Sequence, residues 1–324
     1  ARAYSSDGDN TAAREQYDAA LKHSDSGSKL LIEAGRVCMQ QGDVLASMER
    51  FEQASNLYPG DIEPLVGVLE AAMLLGEKDK SEAYALKVLK QDPDNSTALT
   101  ILAELYAAQG DTNNAIVSID HAIENTNDPG PVILEKARLL SNASKHDQAL
   151  SVLESEIEAL SENHDAWELL GDLYEHSGDI ESSINAFTKA IELAPLHFHC
   201  HLRISELCIQ HNELDKAMLY LDNAAKLKSN NDEAGKLQEI LGNLFVARKQ
   251  FDRAYKAYSN SIKLVPTNGK LYFNAGLALK QLKDYSEAML MFRKSVEIDP
   301  NNVSAHRQLA AVSALGLISG DATA

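Results

Sequence analysis

A 34-residue period runs through this chain and constrains its fold more than any other feature. The clearest copy is His164 to His197. Trp167, Leu170, Gly171 and Tyr174 recur at three- and four-residue intervals, so they share one face of a first helix. Gly178-Asp179 ends that helix: Gly suits the left-handed position past a helix end, and Asp caps the next helix. Ile184, Phe187, Ala190 and Ile191 form the inner face of a second helix, which Pro195 cannot continue. The small residues Gly171, Ser183 and Ala190 mark the closest approach of the two helices. One such hairpin cannot bury its apolar face alone, so copies must stack.

Stepping along the sequence sets the register. Full repeats are expected over residues 28–61, 62–95, 96–129, 164–197, 198–231, 235–268 and 269–302, with a degenerate copy at 130–163. In that degenerate copy Glu156 stands where a small residue is usual. Residues 1–27 read as a partial repeat, with Tyr4 in the Tyr slot and Gly8-Asp9 at the turn, so Ala1 is not expected to be a natural terminus. After residue 231 the register slips by three, and residues 232–234 are an insertion that the polar run Lys228 to Asp232 is expected to absorb as a longer loop. Residues 303–318 read as a capping helix and 319–324 as a tail.

The pattern W-x2-L-G-x2-Y…A-x3-F…P resembles the tetratricopeptide (TPR) repeat, with Ser183 in place of the first Ala. The resemblance covers nearly the whole chain. It implies an all-α solenoid of stacked antiparallel helix pairs in a right-handed superhelix, with first helices lining a concave groove. It also implies a protein-binding role.

The groove slots that the resemblance implies are occupied by Arg36, Glu70, Glu104, Arg138, Glu168, Asp172, Glu175, Glu206, Glu239, Asn243 and Asn274. Acids dominate its middle, so a basic or amphipathic protein segment is the expected partner. Met73, Ala107 and Ile209 offer apolar anchors. The Lys/Asn/Lys/Arg clamp by which some TPR proteins hold a chaperone C-terminus is not matched: only Asn243 and Asn274 fit, and Glu239, Ser304 and Gln308 fill the basic slots. The Asn ladder of O-linked GlcNAc transferases is absent too, its slots holding Glu33, Gly67, Ile101, Glu135, Leu169, Arg203, Ile240 and Asn274.

Composition narrows the function classes. The net charge of -18 argues against nucleic acid as a partner. No apolar run is long enough to span a membrane, and the three cysteines are too few for a disulfide framework. Cys200 and Cys208 are separated by roughly 12 Å of helical rise, too far to bridge. Free thiols fit a reducing, cytoplasmic-type compartment. There is no GxSxG, P-loop or HExxH motif, and no carboxylate stands in a context that would raise its pKa, so no catalytic residue, cofactor or enzyme activity is expected. The cluster His197-Phe198-His199-Cys200-His201 is read as packing rather than as a metal centre. His201 falls in the Trp167 slot, Cys200 is expected to point elsewhere, and only His197 and His201 share a face. The reading is therefore a non-catalytic scaffold that holds a partner segment during assembly of a larger complex. The alternative is the recognition arm of an enzyme, for example a glycosyltransferase-like protein, whose catalytic domain lies outside these residues.

Overall fold

The computed structural model describes residues 16–17, 19, 27–228 and 230–319, with side chains through 315. The partial repeat expected at 1–27 therefore falls almost wholly outside the described residues, as do 320–324 of the tail and the side chains of Leu317 and Ile318.

Among the described residues there are α-helices and no strand. In chain order they are α1 Ser28–Gln40, α2 Val44–Leu57, α3 Ile62–Leu74, α4 Lys78–Gln91, α5 Ser96–Ala108, α6 Thr112–Glu124, α7 Pro129–Asn142 and α8 His146–Glu156. They continue with α9 His164–Ser177, α10 Ile180–Leu193, α11 Phe198–Gln210, α12 Leu214–Leu227, α13 Asn231–Ala247, α14 Phe251–Leu264, α15 Gly269–Gln281, α16 Tyr285–Ile298 and α17 Val303–Ser319. The chain divides into two compact units, residues 1–160 and 161–324. Within each, odd-numbered first helices pair with even-numbered second helices, and each pair packs on the next. Both units are all-α tetratricopeptide-type solenoid arrays. No helix among the described residues is long and apolar enough to cross a membrane.

Turn chemistry explains the period. One or two residues past each first helix the chain takes a left-handed conformation, at Gly42, Gly76, Gly110, Ser144, Gly178, Asn212, Lys249 and Lys283. The spacing is 34 residues except between Asn212 and Lys249, where the slip falls. Glycine takes this φ without a steric penalty; at Ser144, Lys249 and Lys283 the turn is closed by the next residue's N–H, which Lys145, Gln250 and Asp284 donate to the carbonyls of Leu140, Phe245 and Leu279. The following Asp caps the second helix at Asp43, Asp111, Asp179 and Asp284.

Two local departures from the sequence reading have clear causes. The slip near residue 230 lengthens a helix, not a loop. Helix α13 has 17 residues where α11 and α15 have 13. The Asn230 side chain accepts the Glu233 backbone N–H at 2.8 Å, and Asp232 and Glu233 lie in the first turn, so the extra turn is capped and favourably charged. Helix α8 stops early, at Glu156, in the slot where a small residue is usual. The chain turns, and Leu160, buried at 3% exposure, lies against Gly130.

The hairpin cores obey volume complementarity. A Cβ added at Gly171 would lie 2.8 Å from the Phe187 ring, and one at Gly242 would lie 2.4 Å from Tyr258. Gly35 with Phe51 and Gly276 with Phe292 repeat the arrangement. Where the first-helix slot is Ala103, Ala137 or Ser205, the residue 16 positions later is Ile119, Leu153 or Leu221, all buried. In the second described hairpin the sizes reverse, with Leu69 on the first helix and Ala85 on the second. One aromatic or branched side chain fills each hairpin, and its partner slot shrinks to fit.

Candidate functional site

The first helices carry the candidate surface, and the two units present it differently. In the first unit, Arg36 is exposed and forms a close ion pair with Glu63. Glu70, Glu104 and Glu135 lie on α3, α5 and α7, which contact one another in succession. Among the described residues no ion pair engages these three carboxylates. Burial and then the neighbouring Glu135 push the Glu104 carboxyl up to about 7. Burial also raises Glu135, opposed by Arg138, and raises Glu70, opposed by Arg36. Glu70 is itself exposed, so its desolvation is partial. The sequence reading missed these raised carboxyls because it takes neighbouring helices to desolvate such a side chain. Met73 and Ala107, half-buried, stand one turn beyond Glu70 and Glu104.

In the second unit the acids are already neutralised. Arg203 on α11 reaches Glu206 at 2.9 Å and Asp172 at 3.7 Å, and pairs closely with Glu175. Lys236 lies 3.5 Å from Glu206 and 3.6 Å from Glu239, and Lys270 is 3.2 Å from Glu239. Glu239 is not an open groove residue: it is 5% exposed, and both lysines cover it. Burial raises Asp172, and Arg203 opposes the shift. The acids expected to dominate the middle of the groove are thus engaged here in a chain of ion pairs centred on Arg203. Asn243 accepts the Tyr258 hydroxyl at 2.7 Å, and Asn274 is half-buried. Ile209, half-buried, packs on the core beside Cys208.

Glu168 forms a second cluster. It takes a hydrogen bond with His199 Nδ1 at 2.8 Å and lies 3.3 Å from His197 Nε2. The His199 bond, with both histidines adding, holds Glu168 below its usual range, and the same bond raises His199. His201 packs, as its slot implies, 5.9 Å from the Tyr220 ring. Cys200 does not point elsewhere: its sulfur gathers with Glu168 and His197. Its thiol, pushed up to about 12 by burial, is protonated as it stands.

Family models described as tetratricopeptide repeat match residues 1–62 and 269–302, and one described as tetratricopeptide repeat-like domain matches 48–198. The chain belongs to the tetratricopeptide repeat family. The Bos taurus BBSome complex member BBS4 is 22% identical over 321 residues, 93% of this chain and 61% of that protein. The Homo sapiens protein O-mannosyl-transferase TMTC1 is 21% identical over 198 residues, 60% of this chain and 22% of that protein. The chain therefore spans less than two thirds of the length of these relatives. The crystal structure of the APC/C hetero-tetramer Cut9-Hcn1 shares the fold, with a TM-score of 0.59 at 16% identity over 93% of this chain and 58% of that one. Such arrays are typically non-catalytic protein-interaction scaffolds.

Proposed function

We propose that the chain is a non-catalytic scaffold that holds a basic or amphipathic segment of a partner protein against its first-helix face, within a larger assembly. The observation that carries this is the row Glu70, Glu104 and Glu135, three acids on successive contacting helices that no ion pair engages among the described residues. Successive packed helices stand about 10 Å apart. A polyproline II segment advances about 3.1 Å per residue with about three residues per turn, so a cation at every third position matches the row on one face. A helix advances about 1.5 Å per residue, so cations seven apart match it. Met73 and Ala107 supply apolar contact beside the charges. The second unit is the lesser candidate for a basic segment, because Arg203, Lys236 and Lys270 already occupy its acids. Membership of BBS4 in a complex supports an assembly role.

A peptide with Lys at every third position, titrated into the full chain, tests this. Exposed charge pairs contribute about 0–1 kcal/mol each, so Glu104→Gln with Glu135→Gln should weaken binding by up to about thirtyfold. Added salt should weaken the wild type more than the variant. Asp172→Lys with Glu206→Lys should have the smaller effect. Affinity indifferent to the first pair and abolished by the second would defeat the reading.

A second reading, the recognition arm of a larger enzyme, rests on the similarity to TMTC1. A catalytic signature in the flanking reading frame would favour it.

A further inference from the structure

Within the second unit, Glu168 on α9 and His197 and Cys200 at the start of α11 place a carboxylate oxygen, an imidazole nitrogen and a thiol sulfur within 4.8 Å of one another. A tetrahedral cation bound by such donors holds them about 3.5 Å apart, so a contraction of roughly 1 Å closes the set. Cys200 is fully buried and is the third residue of α11, so its sulfur is held in place at the start of that helix.

A plain Glu-His ion pair does not account for the whole cluster. It uses His197 Nε2 and leaves His197 Nδ1 buried without a hydrogen bond. His164 Nδ1 is likewise buried without one, 3.3 Å from Asp165, and its ring centroid lies 5.6 Å from that of His197. Nor does the ion pair need a thiol. The second Glu168 oxygen is held by His199 at 2.8 Å, the kind of outer contact that orients a ligating carboxylate.

We propose that Glu168, His197 and Cys200 form a three-ligand site for a divalent transition cation of zinc-like softness, with water in the fourth position and His164 beside it. Sulfur and nitrogen donors select against magnesium and calcium, which take oxygen ligands. On binding, the S–H bond breaks, the sulfur–metal bond forms and the proton leaves to solvent. Because the ligands come from two successive hairpins, the cation ties α9 to α11.

The test is titration of the full, tag-free, metal-stripped chain with Co2+ and then Zn2+. Co2+ should bind at one equivalent with a thiolate-to-cobalt charge-transfer band, and Zn2+ should abolish that band and raise the melting midpoint. Cys200→Ser should lose the band, whereas Cys38→Ser and Cys208→Ser should keep it. Cys200 is core-packed, so Glu168→Gln, at a half-buried position, provides a second check: it should retain the helical circular dichroism and bind Co2+ at least tenfold more weakly. Absence of the band in the wild type, its survival in Cys200→Ser, or unchanged Co2+ affinity in Glu168→Gln would each overturn the proposal.

Discussion

Replacing Gly171 by leucine should destabilise the protein by overpacking the contact between α9 and α10. The Phe187 ring is fully buried, and a mere Cβ at Gly171 would already stand 2.8 Å from it. The Gly171 carbonyl also accepts the Ser183 hydroxyl at 2.7 Å, so α9 and α10 cannot simply separate. Overpacking of this kind typically costs about 1–3 kcal/mol, occasionally more. At about 2–4 °C per kcal/mol, the melting midpoint should fall by roughly 2–12 °C. Glu206→Gln, the contrasting first-helix change, should move it far less. The complementary pair Gly171→Ala with Phe187→Leu copies the Ala137 and Leu153 slots and should restore most of the loss seen in Gly171→Ala alone. Equal midpoints for Gly171→Leu and Glu206→Gln, or strict additivity in the double variant, would contradict the packing argument.

The second large effect is expected at Arg203. Its guanidinium faces Asp172, Glu175 and Glu206, whose side chains are 43%, 23% and 21% exposed. Removing it in Arg203→Ala leaves three partly desolvated carboxylates close together. A fully buried orphaned charge costs about 3–5 kcal/mol, and solvent screening here reduces that to roughly 1–3 kcal/mol. Added salt should shrink the deficit, because the remaining term is like-charge repulsion. Arg203→Lys should recover only part of it, since one ammonium cannot fork to three carboxylates. Chemical denaturation at low and high salt measures this. A deficit that is independent of salt, or a variant as stable as wild type, would show that Arg203 only packs.

What the sequence reveals follows from the range of each interaction. The helices, their turns and the slot of His201 depend on contacts within one 34-residue unit, so a single pass along the chain exposes them. The lengthened α13 depends on Asn230 and two acids, a local signal outweighed in the reading by the assumption that polar residues form loops. Arg203 escaped as the neutralising cation because its partners lie one hairpin away, at Asp172 and Glu175. A column-by-column reading sees it only as a missing Asn. Comparing each first-helix position with the residues about 30 positions before it exposes the pairing. Cys200 with Glu168 escaped for the same reason. The raised Glu104 is hardest to foresee, since its shift comes mostly from desolvation by neighbouring helices.

That carboxyl provides the most direct test of the binding surface. A carboxylate raised from 4.5 to about 7 binds more protons folded than unfolded, so its contribution to stability falls as pH rises between those values. A partner cation beside Glu104 should pull it back toward its ordinary value. At pH 7 that transition releases about half a proton per bound peptide, and affinity should strengthen as pH rises through 7. The measurement is calorimetric titration of the full chain with the Lys-bearing peptide at pH 7, in two buffers of different ionisation enthalpy. Release of about half a proton by the wild type, lost in Glu104→Gln, is the expected result; binding with no proton released, or with the same release in Glu104→Gln, would place the partner elsewhere.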